Sequence, residues 1–161
     1  MDLSQLFDIQ TQLDRTIMEN HGLYDKDLVP AKVLALQVEL GELANETRCF
    51  KFWSKKSASL KSVILEEYVD CLHFLLSIGL DCGFHVKRFE TNPNNLDLIQ
   101  EFQEVYKKSC DFLGCLNQEK YVKLFEEFLT LGEKLNFTWE EVEKAYFMKN
   151  EINHQRQAEG Y

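Results

Sequence analysis

The sequence predicts an all-α protein. Apolar residues recur at helical spacing along most of the 161 residues, alternating β patterns are missing, and only two prolines and seven glycines interrupt the chain. A hydrophobic content of 45%, with 12 Phe, is sufficient for one sizeable core. We therefore expect a bundle of about five to six helices in a single domain spanning residues 1–161.

Caps and breakers indicate where each helix begins and ends. Gly22 ends the first helix, residues 92–95 (NPNN) form the clearest break in the chain, and Thr138 with Glu141 makes a capping box for the last helix. The third helix is apolar on almost every side, which is typical of a central helix. The predicted helices cover about residues 3–19, 29–50, 60–81, 96–116, 118–135 and 139–157.

Composition narrows the class of partner and the compartment. A net charge of -9 argues against nonspecific binding to nucleic acid or to anionic membranes. The N-terminus lacks the features of a signal peptide, and the longest apolar run, residues 71–80, is too short to span a bilayer. Five cysteines without CxxC spacing indicate reduced, mostly buried thiols. These features predict a cytoplasmic protein without a membrane or nucleic-acid partner.

Two pairs of carboxylates interrupt the most hydrophobic helices, Glu39-x-x-Glu42 and Glu67-x-x-Asp70. Each pair lies on one helical face, so four like charges in an apolar setting require a cation among them. Oxygen ligands of this kind suit Mg²⁺, and two ions can promote phosphoryl chemistry. The first pair alone also fits a solvated helix face, and Glu66 could replace Glu67.

A di-iron bundle is a second interpretation of the acidic helices. Asp70-x-x-His73 has the spacing of the carboxylate and histidine ligands in such proteins. Only one such pair occurs in the sequence. A lone histidine on an apolar helix is more often a hydrogen-bonded core residue, which is the interpretation that we favour for His73.

The last helix carries a stripe of residues suited to phosphate. Lys149, Asn153 and Arg156 follow one another at i, i+4 and i+7, with Tyr161 just beyond. Cations near a helix C-terminus also arise from the helix dipole alone, but that argument requires no amide between them.

Aromatic residues between the acidic helices offer a wall for a nucleobase. Phe52 and Trp53 belong to the cluster in residues 50–53, which could stack on a base or pack into the core. Gln10 on the first helix could bind a base edge, although its position alone favours an exposed side chain.

Together these motifs resemble a known family, the all-α nucleoside triphosphate pyrophosphatases related to MazG and, within them, the dimeric dUTPases. The resemblance implies that Glu39, Glu42, Glu67 and Asp70 hold two or more Mg²⁺ ions. It also implies that Lys149, Asn153, Arg156 and Tyr161 bind the phosphates or the sugar. The segments that carry the resemblance are ELGELANETRCFKFWS, LEEYVDCLHFLLSIGL and AYFMKNEINHQRQAEGY.

The resemblance extends to the base and to the reaction. Members of the family bind uracil through a Gln and an Asn on the first helix and an aromatic residue after the first metal motif. Gln10 matches the Gln, Asp14 stands in place of the Asn, and Phe52 beside Trp53 stands in place of the aromatic residue. The implied reaction is hydrolysis of dUTP to dUMP and pyrophosphate by a metal-activated water that attacks the α-phosphorus.

Several alternatives stay open at this point. Either carboxylate of the first pair could orient or deprotonate the water. Asp14 leaves room for another base preference, such as dCTP, and dUDP is a second candidate substrate. The family implies a homodimer whose sites are completed by the partner subunit. A helical dimer that mainly binds a regulatory protein partner is the alternative from another class.

Overall fold

The computed structural model describes residues 1–160, and this part of the chain forms six helices. They are α1 (Ser4–His21), α2 (Val29–Thr47), α3 (Lys61–Asp81), α4 (Leu98–Gly114), α5 (Gln118–Lys134) and α6 (Trp139–Ala158). The intervening segments are loops, apart from an isolated antiparallel bridge between Asp2 and Arg88. The predicted all-α fold is confirmed.

Local signals explain most helix ends. Gly22 adopts a left-handed conformation and ends α1, and Thr138 and Glu141 form the predicted capping box of α6. Helix α2 ends at Thr47, earlier than predicted, because Arg48 has a left-handed φ of 58° and donates its N–H to Ala44. Helix α4 begins later than predicted because Asp97 caps it.

Helix α3 is central, as its apolar sequence predicts. It packs against α1, α2, α5 and α6, while α4 and α5 form a hairpin whose first helix also contacts α2. The buried apolar side chains make one continuous cluster that includes residues of all six helices. Helices α1, α2, α3 and α6 frame a cavity whose lining includes no residue of the hairpin.

Two glycines allow the α5 helix to approach α3 closely. Gly79 on α3 lies against Tyr121, whose hydroxyl donates to the Leu75 carbonyl at 3.0 Å. Gly132 on α5 lies against Tyr68 in the reciprocal arrangement. A Cβ at either glycine would overlap the tyrosine ring, so each position requires the absence of a side chain.

The cysteines differ from expectation in burial. All five are free, but Cys110 and Cys115 are exposed and only Cys71 is fully buried, so the prediction of mostly buried thiols is wrong. The exposed pair lies at the end of α4, where the helix has one solvent-facing side. Within residues 1–160, none of the helices has the length and apolar character that a membrane span requires.

Candidate active site

A cavity of about 350 Å³ lies between α1, α2, α3 and α6. One end is acidic, the deep end is lined by buried polar groups, and cations and amides of α6 border the rest. None of its lining residues comes from residues 85–135. The residues used below that line it are Gln10, Asp14, Lys32, Glu39, Asp70, His73, Ser77, Lys149, Asn153 and Arg156.

The acidic end adjoins a cluster of three of the four predicted metal ligands, of which Glu39 and Asp70 line the cavity. Glu39 from α2 and Glu67 and Asp70 from α3 each offer a carboxylate oxygen, and these oxygens lie within 4.8 Å of one another. Burial raises the pKa of all three groups, and repulsion from neighbouring carboxylates adds to the rise for Glu67 and for Glu39, whose pKa reaches about 7. Three clustered carboxylate oxygens of this kind fit a divalent cation.

Glu42 and Glu66 stand at the edge of this cluster. Glu42 lies outside the group of three oxygens, although its charge helps to raise the pKa of both Glu39 and Glu67. The Glu66 side chain is 58% exposed and contacts Lys149 at 3.0 Å. The geometry therefore favours Glu67 over Glu66 as the α3 partner of Asp70.

Clustered carboxylates in an apolar setting require a cation, and in this structure the Lys149 ammonium lies beside them. Its Nζ donates to Asp70 Oδ2 at 2.7 Å across 79 residues of sequence. Burial alone would lower the pKa of Lys149, but the carboxylates of Asp70 and Glu66 raise it above its usual value. Asn153 and Arg156 lie on the same helix and line the cavity beside it. Tyr161 lies outside the described residues.

At the deep end, Gln10 is buried rather than exposed, which corrects the interpretation of its position alone. Its Oε1 accepts from the Tyr146 hydroxyl at 2.7 Å and faces His73 Nδ1 at 2.8 Å. The His73 ring stacks on Tyr146 with centroids 4.2 Å apart. Burial lowers the pKa of His73 to about 3, so the imidazole is neutral, as expected for a hydrogen-bonded core histidine.

Asp14 also lines the cavity, but both of its oxygens already have donors. Gln10 Nε2 donates to Oδ1 at 2.7 Å, Ser77 Oγ donates to Oδ2 at 2.6 Å, and Lys32 Nζ lies 3.9 Å from Oδ2. Burial raises the pKa of Asp14, while Lys32, Ser77 and Gln10 oppose that effect. Asp14 thus fixes the side-chain amide of Gln10 and links it to Ser77.

The two aromatic residues predicted to stack on a base lie away from this cavity. The side chains of Phe52 and Trp53 are 93% and 65% exposed in the loop between α2 and α3, packed edge to face with ring centroids 5.0 Å apart. Neither belongs to the cavity lining. Their role in base binding stays a prediction.

Sequence reasoning overlooked three residues of the cavity network. Lys32 lies two turns before Glu39 on α2, and its Nζ contacts Asp81 at 2.6 Å. Ser77 lies two turns after Asp70, and Tyr146 lies one turn before Lys149. All three continue a helical stripe that already carried a predicted site residue, and that spacing is the signal that could have found them.

These features define a class of site. Clustered carboxylates suited to a divalent cation face a lysine, an amide and an arginine on α6, and the adjoining cavity ends in a rigid polar network. Such a site suits a ligand with an anionic phosphate portion and a polar ring. An all-α fold with this arrangement is that of a helical nucleotide hydrolase.

The comparisons identify the family. A family model described as dUTPase matches residues 2–161, so the chain belongs to the dUTPase family. The protein is a dUTP diphosphatase that hydrolyses dUTP, an enzyme of nucleotide metabolism. Enzymes of this family generally depend on a divalent metal, in agreement with the acidic cluster. A search among curated proteins finds no match.

Proposed function

We propose that the enzyme hydrolyses dUTP to dUMP and pyrophosphate with Mg²⁺ held by Glu39, Glu67 and Asp70, assisted by Glu42. The observation that carries this proposal is the approach of three carboxylate oxygens to within 4.8 Å at the edge of the cavity. Bound Mg²⁺ would neutralise phosphate charge and make a water more nucleophilic at the α-phosphorus. Two or more ions would suit a cluster of four carboxylates.

The protein's own groups divide the remaining work. Glu39 and Glu42 would orient the attacking water and accept its proton. Lys149, now paired with Asp70, would turn to a phosphate oxygen when the carboxylates take up a cation. Asn153 and Arg156 border the cavity on the same helix. We also assign phosphate binding to Tyr161.

The deep end of the cavity is proposed to hold the uracil ring. Gln10 and Asp14 form its floor through the hydrogen bond between them. Phe52 and Trp53 would cover the base only after the loop between α2 and α3 moves toward the cavity. The same site would accept dUDP if the γ-phosphate contributes little to binding.

The test is a pair of adjacent substitutions on α3. Glu67→Gln removes a carboxylate of the three-oxygen cluster with little change in size, and Glu66→Gln removes its exposed neighbour. We expect Glu67→Gln to lower kcat for dUTP by roughly 100-fold or more, about 3 kcal/mol, and Glu66→Gln to retain most activity. Pyrophosphate release from dUTP is measured with and without Mg²⁺.

Two results would contradict the proposal. Full activity of the Glu67→Gln enzyme would show that this carboxylate holds no essential cation. Release of pyrophosphate that is insensitive to chelation of Mg²⁺ would contradict the metal assignment, while leaving the hydrolysis of dUTP itself in place.

We further propose a homodimer formed through the groove between α3 and α6. Leu65 and Val69 of α3 and Ala145, Met148 and Ile152 of α6 give this groove an apolar lining, with a volume of about 350 Å³. Met148 is 58% exposed in the single chain, so a second copy would remove apolar surface from water. Lys149 lines both the groove and the active-site cavity, and Glu66 lines the groove and contacts Lys149 at 3.0 Å, which supports a site completed at the interface.

Two organisational features complete the proposal. The chain is proposed to form one domain over residues 1–161, supported by the continuous core shared by all six helices. It is proposed to work in the cytoplasm, supported by five free cysteines, two of them exposed, which suit a reducing compartment.

A further inference from the structure

Three tyrosine hydroxyls bind the backbone of a neighbouring helix in the same way. Each donates to a main-chain carbonyl, and the residue four positions further along the accepting helix is a glycine. The three sets are Tyr106 with Gln37 and Gly41, Tyr68 with Phe128 and Gly132, and Tyr121 with Leu75 and Gly79. The distances between hydroxyl and carbonyl oxygens are 2.9, 3.3 and 3.0 Å in that order. We call each set a tyrosine–glycine contact.

Helix geometry explains why the glycine recurs. Side chains in a helix tilt toward its N-terminus, so the Cβ of one residue covers the carbonyl of the residue four positions earlier. That carbonyl accepts the helical N–H and keeps a second lone pair, which a hydroxyl can reach where the covering Cβ is absent. A Cβ at Gly79 or Gly132 would overlap the tyrosine, and at Gly41 it would lie 3.2 Å from the Tyr106 hydroxyl.

Two of these contacts lie beside the carboxylate pairs. In the first, Gly41 lies within the Glu39-x-x-Glu42 pair of α2. In the second, Tyr68 directly follows Glu67 on α3. The third lies near the C-terminal end of α3, beyond the second pair. The α4–α5 hairpin, which lines no part of the cavity, is therefore bonded to both acidic helices at their carboxylate pairs.

Further interactions strengthen these two contacts. On α2, Gln37 Nε2 donates to the buried Ser109 Oγ at 2.9 Å, and Ser109 Oγ donates to the Tyr106 carbonyl at 2.7 Å. On α3, the Tyr68 ring stacks on Phe128 with centroids 4.3 Å apart and ring planes 10° apart. Because hydrogen bonds are directional, they fix the rotation and the axial position of a helix more closely than apolar contact alone.

We propose that the Tyr106 and Tyr68 hydroxyls are positioning groups for the metal site. Mg²⁺ requires near-octahedral oxygen ligands at about 2.0–2.1 Å, and two helices can share such a site only if they keep their relative position. The two contacts fix α2 and α3 against one hairpin and so fix the carboxylate pairs relative to each other. This inference rests on the proposed function, in which those pairs hold Mg²⁺.

The first test removes single hydroxyls. Tyr106→Phe and Tyr68→Phe each break one contact beside a carboxylate pair, and Tyr121→Phe breaks the third contact and is the matched control. Binding of Mg²⁺ without nucleotide is measured by calorimetric titration, and Tm is measured for each variant. We expect the dissociation constant for Mg²⁺ to rise roughly tenfold in the first two variants and to stay unchanged in Tyr121→Phe, although all three variants have a lower Tm.

Turnover of dUTP provides a second measurement. The Tyr106→Phe and Tyr68→Phe enzymes should need a higher Mg²⁺ concentration for half-maximal turnover. Because neither tyrosine lines the cavity, their kcat at saturating Mg²⁺ should stay within roughly twofold of that of the unmodified enzyme. A role in stability alone would lower Tm without a change in the Mg²⁺ requirement, and that result would contradict the inference.

A double-variant cycle tests the α2 contact in another way. Outside its own helix and within residues 1–160, a Cβ at Gly41 would meet only the Tyr106 hydroxyl. We expect Gly41→Ala to weaken Mg²⁺ binding by roughly 3–10-fold, with little further effect when Tyr106→Phe has already removed the hydroxyl that the methyl group displaces. Additive losses would show that Gly41 does not act through Tyr106 and would overturn the inference for α2.

The outcomes distinguish this inference from the proposed function. If Tyr106→Phe and Tyr68→Phe raise the Mg²⁺ dissociation constant no more than Tyr121→Phe does, the hydroxyls do not position the site, and the proposed metal site still stands. If the unmodified protein neither binds Mg²⁺ nor shows Mg²⁺-dependent turnover of dUTP, the proposed function is contradicted, and the inference fails with it.

Discussion

At the scale of single residues, the proposed binding of a metal ion by Glu39 would couple metal affinity to pH. Burial and the charges of Asp70, Glu42 and Glu67 raise the pKa of Glu39 to about 7, so below that pH it holds a proton that a cation must displace. We expect the Mg²⁺ concentration needed for half-maximal dUTP turnover to rise up to roughly tenfold per pH unit below about 7. Above pH 7 this requirement should level off.

The measurement is a titration of Mg²⁺ against initial rate at each pH between 6 and 8.5, a range chosen to bracket the pKa of about 7. Glu39→Gln provides the control, because a side chain that cannot ionise removes this proton competition. The variant should turn over dUTP more slowly and need more Mg²⁺ at every pH, with a flatter dependence of that requirement on pH. A Mg²⁺ requirement that is constant across the range in the unmodified enzyme would contradict the prediction.

Glu101 illustrates a buried carboxylate with a structural effect. It is fully buried between α4 and α5, 3.4 Å from Lys134, and burial together with Glu127 raises its pKa above the usual 4.5. The folded protein therefore holds this proton more tightly than the unfolded chain. The resulting stability is present below a pH of about 4.5 and is lost as the pH rises through the raised pKa, because ionisation then favours unfolding. Glu101→Gln should raise Tm by roughly 2–4 °C at pH 8, with a gain that shrinks as the pH falls toward 4.5.

Glu104→Gln is the matched control for this comparison, one turn further along α4. Hydrogen bonds from Lys107 lower the pKa of Glu104. Ionisation of Glu104 therefore favours the folded state, whereas ionisation of Glu101 favours unfolding. Thermal unfolding of both variants between pH 5 and 8 separates the two cases. A Glu101→Gln variant that is less stable than the unmodified protein at pH 8 would show that the pair with Lys134 outweighs the cost of burial.

At the scale of the helices, the contact between α3 and α5 depends on a missing side chain. A methyl group at Gly79 would overlap the Tyr121 ring, which is fully buried and bonded to the Leu75 carbonyl. We expect Gly79→Ala to destabilise the protein by about 1–3 kcal/mol from overpacking, although alanine favours helix by about 1 kcal/mol. Urea unfolding measures the net loss.

Two further variants show whether Tyr121 causes this loss. Gly114→Ala, where a Cβ meets no neighbour, should leave stability unchanged or slightly higher. Tyr121→Phe removes the hydroxyl that the new methyl group would overlap, so the double variant should lose less than the sum of the two single losses. Additive losses would indicate that the strain arises elsewhere.

The helices also show what could be predicted from the sequence. Periodicity and caps located all six helices because these are local properties of the chain. The same periodicity indicates that Gln10 is buried, because Gln10 lies on the apolar face of α1 between Leu6 and Leu13. Its burial depends on partners from α3 and α6, and nothing local reports that Tyr146 and His73 approach it.

The carboxylate cluster was predictable for a different reason. Glu67 and Asp70 interrupt an apolar helix that offers no clear solvent-facing side, and clustered charge in such a helix implies a cation wherever the helix packs. The identity of the cation present here, the Lys149 ammonium, depends on a contact across 79 residues. The stripe of Lys149, Asn153 and Arg156 could be found by helical spacing, but its approach to α3 required the tertiary structure.

At the scale of the whole molecule, the proposed dimer makes one further prediction. Ile152 is 42% exposed and lines the groove between α3 and α6, where a second copy would bury it. A glutamate there would bury an unpaired charge in the interface, which costs at least roughly 2–3 kcal/mol and weakens dimerisation about 100-fold. We expect Ile152→Glu to be monomeric at concentrations at which the unmodified protein is dimeric, as measured by sedimentation velocity.

Leu34→Glu supplies the comparison, because Leu34 is 62% exposed on α2 and does not line that groove. It adds the same charge to another apolar position, so a general effect of charge would appear in both variants. If the active site is completed by the partner subunit, Ile152→Glu should also lose dUTP turnover, and activity should return as the protein concentration rises. If the Ile152→Glu variant remains dimeric and the Leu34→Glu variant is monomeric, the interface lies on the exposed face of α2 instead.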